Sequence, residues 1–62
     1  MRNNIKKLRI ETGLTQEELA GRLDVCQQAV AKWENGISTP RIEKLIELAK
    51  LLGCSIDDLF AA

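Results

Sequence analysis

Apolar residues recur at helical spacing in successive short stretches of the chain, and each stretch is bounded by residues that start or stop helices. The clearest start is at Thr15, because Thr15 and Glu18 form a capping box that supplies partners for the free amides of a first helical turn. An apolar stripe follows, made by Leu19, Ala20 and Leu23. The pattern therefore predicts an amphipathic α-helix at this point of the chain.

A second helix is predicted directly behind the first, over about residues 26–35, with Gly36 placed to end it. Only two or three residues around Asp24 and Val25 separate the two helices, too few for an antiparallel hairpin that lies flat. The two helices should therefore cross steeply in a helix-turn-helix. Ala20 is small at the point where the second helix must come close.

When residues 26–35 are projected at about 100° per residue, their side chains separate by chemistry. One face carries the apolar residues Ala29, Val30 and Trp33. The opposite face carries Gln27, Gln28, Ala31, Lys32 and Asn35. This second face lacks the paired acids and bases of an ordinary solvated helix, and its amides and ammonium group suit the base edges of the DNA major groove. Gln27, Gln28 and Lys32 are therefore predicted base contacts, since Gln can pair with adenine and Lys with guanine.

The N-terminal stretch predicts a helix that is capped by Asn3 or Asn4, runs to about Thr12 and is stopped by Gly13. Its inward stripe consists of Ile5, Leu8 and Thr12. After the helix-turn-helix, Thr39 and Pro40 predict the start of a fourth helix as cap and first-turn residue.

Between Ile42 and Leu52 the apolar residues cover more than one face, so the fourth helix is predicted to be the central buried one. Its predicted core residues are Leu45, Ala49 and Leu52. Gly53 stops it, and Cys54 is predicted to be a buried thiol. Ser55 and Asp58 form a second possible capping box, which opens a short fifth helix with the apolar residues Ile56, Leu59 and Phe60.

The length and composition limit what this chain can be. Residues 1–62 suffice for one domain. No apolar run is long enough to span a membrane and no signal-peptide core is present, so we expect a cytoplasmic protein without a membrane partner. Two cysteines in a chain without histidine match no zinc or haem motif, so we expect no metal or cofactor. Since the sequence shows no secretory feature, we expect both thiols to be reduced.

Charge does not by itself favour a nucleic-acid partner, since nine basic and nine acidic residues give a net charge of zero. The distribution is uneven, with most cations early in the chain and four acids in the last third: Glu43, Glu47, Asp57 and Asp58. We therefore expect a dipolar molecule with modest phosphate contacts and weak non-specific DNA binding.

Together these motifs resemble the lambda-repressor-like family, which includes the Cro-type phage repressors and the Xre group of bacterial regulators. The resemblance covers nearly the whole chain, and its matching pieces are Leu8-Arg9, Gly13-Leu14-Thr15-Gln16, Glu18-Leu19-Ala20, Gln27-Gln28, Val30, Trp33-Glu34-Asn35-Gly36, Pro40, and Leu48-Ala49 through Leu52-Gly53 to Leu59. It implies an all-α, compact five-helix DNA-binding domain with the helix-turn-helix at helices 2 and 3. It also implies a transcriptional regulator, which we expect to be a repressor. Because one recognition helix contacts only a few base pairs, we expect it to bind a palindromic double-stranded DNA operator as a homodimer.

The resemblance also implies roles for individual residues. Arg9 would pair with Glu34 and fix the first helix against the third; the alternative is two separate surface charges. Gln16 would touch a phosphate and brace a recognition glutamine, unless it simply faces solvent. Asn35 and Arg41 would be further phosphate contacts, although Arg41 could equally be an isolated surface residue.

Two positions depart from the family's pattern. Asp24 stands where a glycine is usual in the turn, and Asp adopts the left-handed conformation more readily than most residues. Cys26 replaces the usual Ser or Thr at the start of the third helix, and a thiol caps poorly. Cys26 could be a small semi-buried filler or an oxidation-sensitive group beside DNA.

A dimer would use a carboxy-terminal surface with candidates Leu51, Leu59 and Phe60, and the two DNA half-sites that it binds would lie about 34 Å apart.

Other functions remain open at this point. The alternative function is a protein-interaction or antitoxin-like module on the same scaffold. Catalysis is not expected, because the chain has no histidine and neither cysteine has a partner to activate it.

Overall fold

The computed structural model describes residues 3–60, and within this range every regular element is an α-helix. The helices are α1 (Ile5–Glu11), α2 (Gln16–Leu23), α3 (Gln27–Glu34), α4 (Ile42–Leu52) and α5 (Ile56–Phe60). The predicted all-α fold with a helix-turn-helix at the second and third helices is confirmed. None of these helices is long and apolar enough to cross a membrane.

Both predicted capping boxes are present. Thr15 Oγ1 accepts the Glu18 amide at 3.0 Å, and Glu18 Oε1 accepts the Thr15 amide at 2.9 Å. The backbone amide of Thr15, and then its hydroxyl, hold the pKa of the Glu18 carboxyl below its ordinary value. Ser55 and Asp58 make the same reciprocal pair at the start of α5, at 3.1 Å in each direction.

The turn between α2 and α3 is set by Asp24, which has the left-handed conformation with φ 56° and ψ 45°. Its amide and that of Val25 turn back to the last turn of α2, bonding to the carbonyls of Gly21 and Ala20. Asp24 therefore adopts the left-handed conformation that was expected of it in this turn.

All five helices contribute to one core, in which α2 packs against α3 and α4, while α1 packs against α3 and α5. Eleven apolar residues are buried in it: Ile5, Leu19, Ala20, Leu23, Val30, Trp33, Leu45, Leu48, Ala49, Leu52 and Leu59. Trp33 is 6% exposed, as expected for a core residue. The predicted stripe of α2 and the predicted core residues of α4 are all among these eleven.

Two predictions for α4 are wrong. The helix begins at Ile42 rather than Pro40, because Arg41 has an extended backbone with φ −67° and ψ 160°, and Pro40 is buried in the preceding loop. The helix is also not buried all round, since Ile42 is 57% and Ile46 43% exposed. The core contacts only one side of α4, and these two isoleucines lie beyond it.

Three single-residue predictions also need correction. Thr12 does not face the core; α1 ends at Glu11, and the exposed Thr12 hydroxyl donates to the Leu8 carbonyl at 2.7 Å. Cys54 is half-buried rather than buried, and burial, then the nearby Asp58 carboxylate, raise the pKa of its thiol. Leu59 is fully buried in the monomer, so it cannot form part of a dimer surface.

The segment before α1 ties three helices together. Asn4 occupies the amino-terminal cap of α1, but its side chain makes no capping hydrogen bond. The Asn3 side chain, one residue earlier, accepts the Ile5 amide at 3.0 Å and donates to the Trp33 carbonyl at 2.7 Å. The Asn4 amide donates to the Leu59 carbonyl at 2.8 Å. The start of α1 is thereby fixed against the last turns of α3 and α5.

Candidate nucleic-acid interface

Helix α3 has one anchored side and one exposed side. Val30 is fully buried and Trp33 nearly so. On the other side lie the exposed residues Gln27, Gln28, Lys32 and Asn35, which we call the polar face of α3. Because the buried side fixes the rotation of the helix, the polar face stays directed outward.

An ion pair joins the end of α3 to α1. Arg9 Nε lies 2.6 Å from Glu34 Oε2, and Arg9 Nη2 donates to Glu34 Oε1 at 3.2 Å. Arg9 Nη1 also donates to the Leu14 carbonyl at 2.8 Å. The side chains of Arg9 and Glu34 are 10% and 2% exposed. This fork geometry gives orientation as well as attraction, so it fixes α1 and the following loop against α3.

The first residue of α2 connects that ion pair to the polar face. Gln16 is half-buried, and its Nε2 donates to Glu34 Oε1 at 2.9 Å. Its Oε1 accepts from Gln27 Nε2 at 3.3 Å. The structure therefore brings Arg9, Glu34, Gln16 and Gln27 into one hydrogen-bonded chain.

The other candidate site residues stand apart from this chain. Gln28 and Lys32 are exposed on α3, and Asn35 is exposed at its carboxy-terminal cap. Arg41 is exposed at the start of α4, where its side chain makes no capping hydrogen bond. All four side chains therefore reach solvent.

Cys26 lies at the amino-terminal cap of α3, and its thiol makes no capping bond, as expected for a poor cap. It is exposed, so the prediction of a semi-buried filler is wrong. The thiol packs against too little of the protein to fill space, and it lies one residue before the polar face.

A contact that the sequence did not predict supports the turn. Lys44 Nζ donates to the Leu23 carbonyl at 2.6 Å and also lies 3.2 Å from Glu47 Oε2. A cation at the carboxy-terminal end of a helix is favourable, because free carbonyls concentrate negative charge there. Lys44 is 21 residues away from Leu23, so no local pattern could have revealed the pair.

Beside Gln16 and Gln27 lies an open hollow of about 510 Å³, formed by the end of α1, the following loop and the first turn of α2. Its walls include Ile10, Leu14 and Thr15. The start of α2 and Gln27, the first residue of the polar face, thus border a shared concave surface.

Comparison with known proteins agrees with this architecture. The chain matches the helix-turn-helix family over residues 5–59. An uncharacterised HTH-type transcriptional regulator of Methanocaldococcus jannaschii is 37% identical over 60 residues, which cover 97% of this chain and 91% of that protein. The HTH-type transcriptional activator BcrR of Enterococcus faecalis is 39% identical over 57 residues; these cover 92% of this chain but only 28% of the activator.

A solved structure is similar as well. The crystal structure of a transcriptional regulator from Listeria innocua has a TM-score of 0.86 and 35% identity, covering 100% of this chain and 62% of that one. Sequence and fold therefore agree over the range that includes both helices of the motif. The chain belongs to the helix-turn-helix family of DNA-binding transcriptional regulators.

Proposed function

We propose that the chain binds double-stranded DNA sequence-specifically, with α3 in the major groove and Gln27, Gln28 and Lys32 in contact with bases. The observation that carries this proposal is the division of α3, whose polar face is exposed while Val30 and Trp33 bury the opposite side. The major groove admits an α-helix, and amide and ammonium groups match its donor and acceptor pattern.

Phosphate contacts would come from both sides of α3. Gln16 begins α2, where free amides and the positive end of the helix favour an anion. Asn35 at the end of α3 and Arg41 before α4 are exposed donors. The hollow beside Gln16 would leave room for the sugar-phosphate backbone to approach the start of α2.

The contact between Gln16 and Gln27 would hold one recognition side chain ready for its base. Free in solution, a glutamine side chain loses conformational entropy when it is fixed on DNA. The 3.3 Å hydrogen bond to Gln16 restricts Gln27 before binding. Pre-organisation of this kind favours affinity, because less freedom is lost on association.

A single recognition helix contacts few base pairs, so we propose that two copies bind a palindromic operator with half-sites about 34 Å apart. The half-buried residues Leu51 and Phe60 are the remaining candidates for a dimer surface. We further propose repression, since a dimer on its operator would exclude other proteins from that DNA. The activator from Enterococcus faecalis is far longer than this chain, so its role in activation does not argue against repression by this chain.

Selection of bound duplexes from a randomised pool tests the proposal. The expected result is a recovered palindrome that binds more tightly than either isolated half-site, with an affinity that falls as salt rises. A pool that stays random after repeated selection would contradict sequence-specific binding. A single unrepeated half-site would contradict the dimer only.

A protein-interaction or antitoxin-like module is the second candidate. Zero net charge and the exposed Ile37, at 71%, favour it. Titration of a fluorescent random-sequence duplex at low salt separates the two functions. A module that binds only protein would give neither DNA binding nor a salt dependence.

A further inference from the structure

The hydrogen-bonded chain from Arg9 to Gln27 has a direction. Arg9 donates to Glu34 at 2.6 and 3.2 Å. Gln16 also donates to Glu34, at 2.9 Å, and Gln27 donates to Gln16 at 3.3 Å. Glu34 thus accepts from both sides, and every donor in the chain points towards its carboxylate.

The chemistry of Glu34 fixes this direction. A carboxylate only accepts hydrogen bonds, whereas a glutamine amide can present either its oxygen or its nitrogen. Gln16 must therefore turn its Nε2 towards Glu34, which leaves its Oε1 for Gln27. A rotated Gln16 amide would place its oxygen against a carboxylate oxygen, and two acceptors at this distance repel each other.

The direction decides which groups Gln27 offers to DNA. One N–H of Gln27 is used by Gln16, so the side chain retains its carbonyl oxygen and one N–H. This acceptor and donor pair complements adenine, which presents the N6 amino group and the N7 acceptor in the major groove. Guanine presents two acceptors, O6 and N7, and leaves the Gln27 oxygen without a partner.

We infer that Glu34 is a positioning residue that determines specificity: through Gln16 it orients the Gln27 amide and selects adenine over guanine at the base pair that Gln27 contacts. This inference rests on the proposed function, since it requires Gln27 to reach a base. Glu34 itself does not reach the DNA, because its side chain is 2% exposed beneath Gln16.

The variant Glu34→Gln replaces one carboxylate oxygen by an amide nitrogen. Position 34 can then donate as well as accept, so it no longer fixes the direction of the hydrogen bonds to Gln16 and Gln27. Arg9 can only donate, so it will attract the single oxygen of the new amide and leave the nitrogen towards Gln16. Gln16 then accepts from position 34 and donates to the oxygen of Gln27. Gln27 retains two N–H groups, which complement guanine. The preference at this base pair should move from adenine towards guanine.

The experiment measures the affinity of each protein for four duplexes that differ only at the base pair contacted by Gln27. That base pair is first identified as the position where Gln27→Ala relaxes the preference. A good bidentate contact discriminates by roughly 5- to 150-fold. In Glu34→Gln we expect the ratio of the affinities for the adenine and guanine duplexes to fall at least about tenfold at that position alone.

Arg9→Lys is the matched control. A lysine cannot make the two-pronged contact that Arg9 makes with Glu34, so stability falls. The Glu34 carboxylate remains, so the hydrogen bonds from Gln16 and Gln27 still point towards it. We expect the adenine preference to be unchanged in Arg9→Lys. Equal shifts of preference in Glu34→Gln and Arg9→Lys would overturn the inference, because they would trace the effect to the damaged ion pair.

Gln16→Met provides a second test if Glu34→Gln does not fold by circular dichroism. It leaves the ion pair intact and frees the Gln27 amide to rotate, so the adenine preference should approach parity with guanine. Full retention of that preference in either variant overturns the inference while the proposed function stands. If Gln27→Ala changes no position, the proposed function itself fails at this residue.

Discussion

The Nε atom of Arg9 lies 2.6 Å from Oε2 of Glu34, and this contact joins the first and third helices across 25 residues of sequence. Both charged side chains are shielded from solvent, that of Arg9 at 10% exposure and that of Glu34 at 2%. The Glu34 carboxylate, almost free of solvent, receives three donors from two side chains. The orientation of α3 relative to the rest of the fold therefore depends on this pair.

Removal of Arg9 should destabilise the domain strongly. Arg9→Met leaves the nearly buried Glu34 carboxylate with only the Gln16 amide, and loss of one partner of a buried pair costs about 3–5 kcal/mol. Urea unfolding followed by circular dichroism measures the change. The double variant Arg9→Met with Glu34→Leu should be more stable than Arg9→Met alone, because no unpaired charge remains. A double variant that is no more stable would contradict this account.

Gly21 lies in the middle of α2, is exposed, and a Cβ built there meets no atom within 4 Å. Gly21→Ala should raise the free energy of unfolding by about 0.5–1 kcal/mol, because glycine loses more backbone entropy in a helix. Gly53→Ala is the control, since Gly53 is equally unobstructed but has φ +68°. It should lose stability, and urea midpoints that move in the same direction for both would refute this explanation.

Glu18 should make the domain sensitive to acid. Its pKa is lowered in the folded state by the Thr15 amide and hydroxyl. A lowered carboxyl pKa contributes stability above the ordinary carboxyl range, and that stability is lost as the pH falls through the folded pKa. Glu18→Gln can keep the capping contact without titrating. Between about pH 6 and pH 3, the wild type should therefore lose more stability than Glu18→Gln; identical losses would show that this carboxylate has no such effect.

The two thiols should react at different rates. Cys26 is exposed at the start of α3, whereas Cys54 is half-buried and burial, followed by Asp58, raises its pKa. The thiolate is the reactive form, so a raised pKa and limited access both slow Cys54. Alkylation by iodoacetamide near neutral pH, followed by mass spectrometry, should modify Cys26 first. Equal rates in the folded protein would contradict the difference in environment.

Local sequence signals predicted most of the fold because they depend on neighbouring residues. The capping boxes at Thr15 and Ser55 require only residues three positions apart, and both were found as predicted. The division of α3 into two faces follows from helical spacing alone. The predicted start of α4 is wrong because Thr39 and Pro40 are typical of a helix start, whereas the backbone stays extended through Arg41.

The contacts that position the site depend on tertiary structure. Lys44 reaches the Leu23 carbonyl, and Asn3 reaches the Trp33 carbonyl 30 residues away. Neither carbonyl carries any signal in the sequence. The exposure of Ile42 and Ile46 also depends on tertiary structure, because apolar residues on two faces of a helix do not reveal which face the core covers.

The proposed function depends on contacts between DNA bases and side chains on the polar face of α3. The base preferences of Gln28→Ala and Arg41→Ala are the sharpest test of these contacts. Both residues are exposed and each stands outside the chain of contacts around Glu34. Each protein is titrated against single-base variants of the selected operator at constant salt. Gln28→Ala should relax the preference at one position of each half-site by about 1–3 kcal/mol, whereas Arg41→Ala should weaken every duplex alike. A uniform loss from both variants would contradict base reading by the polar face.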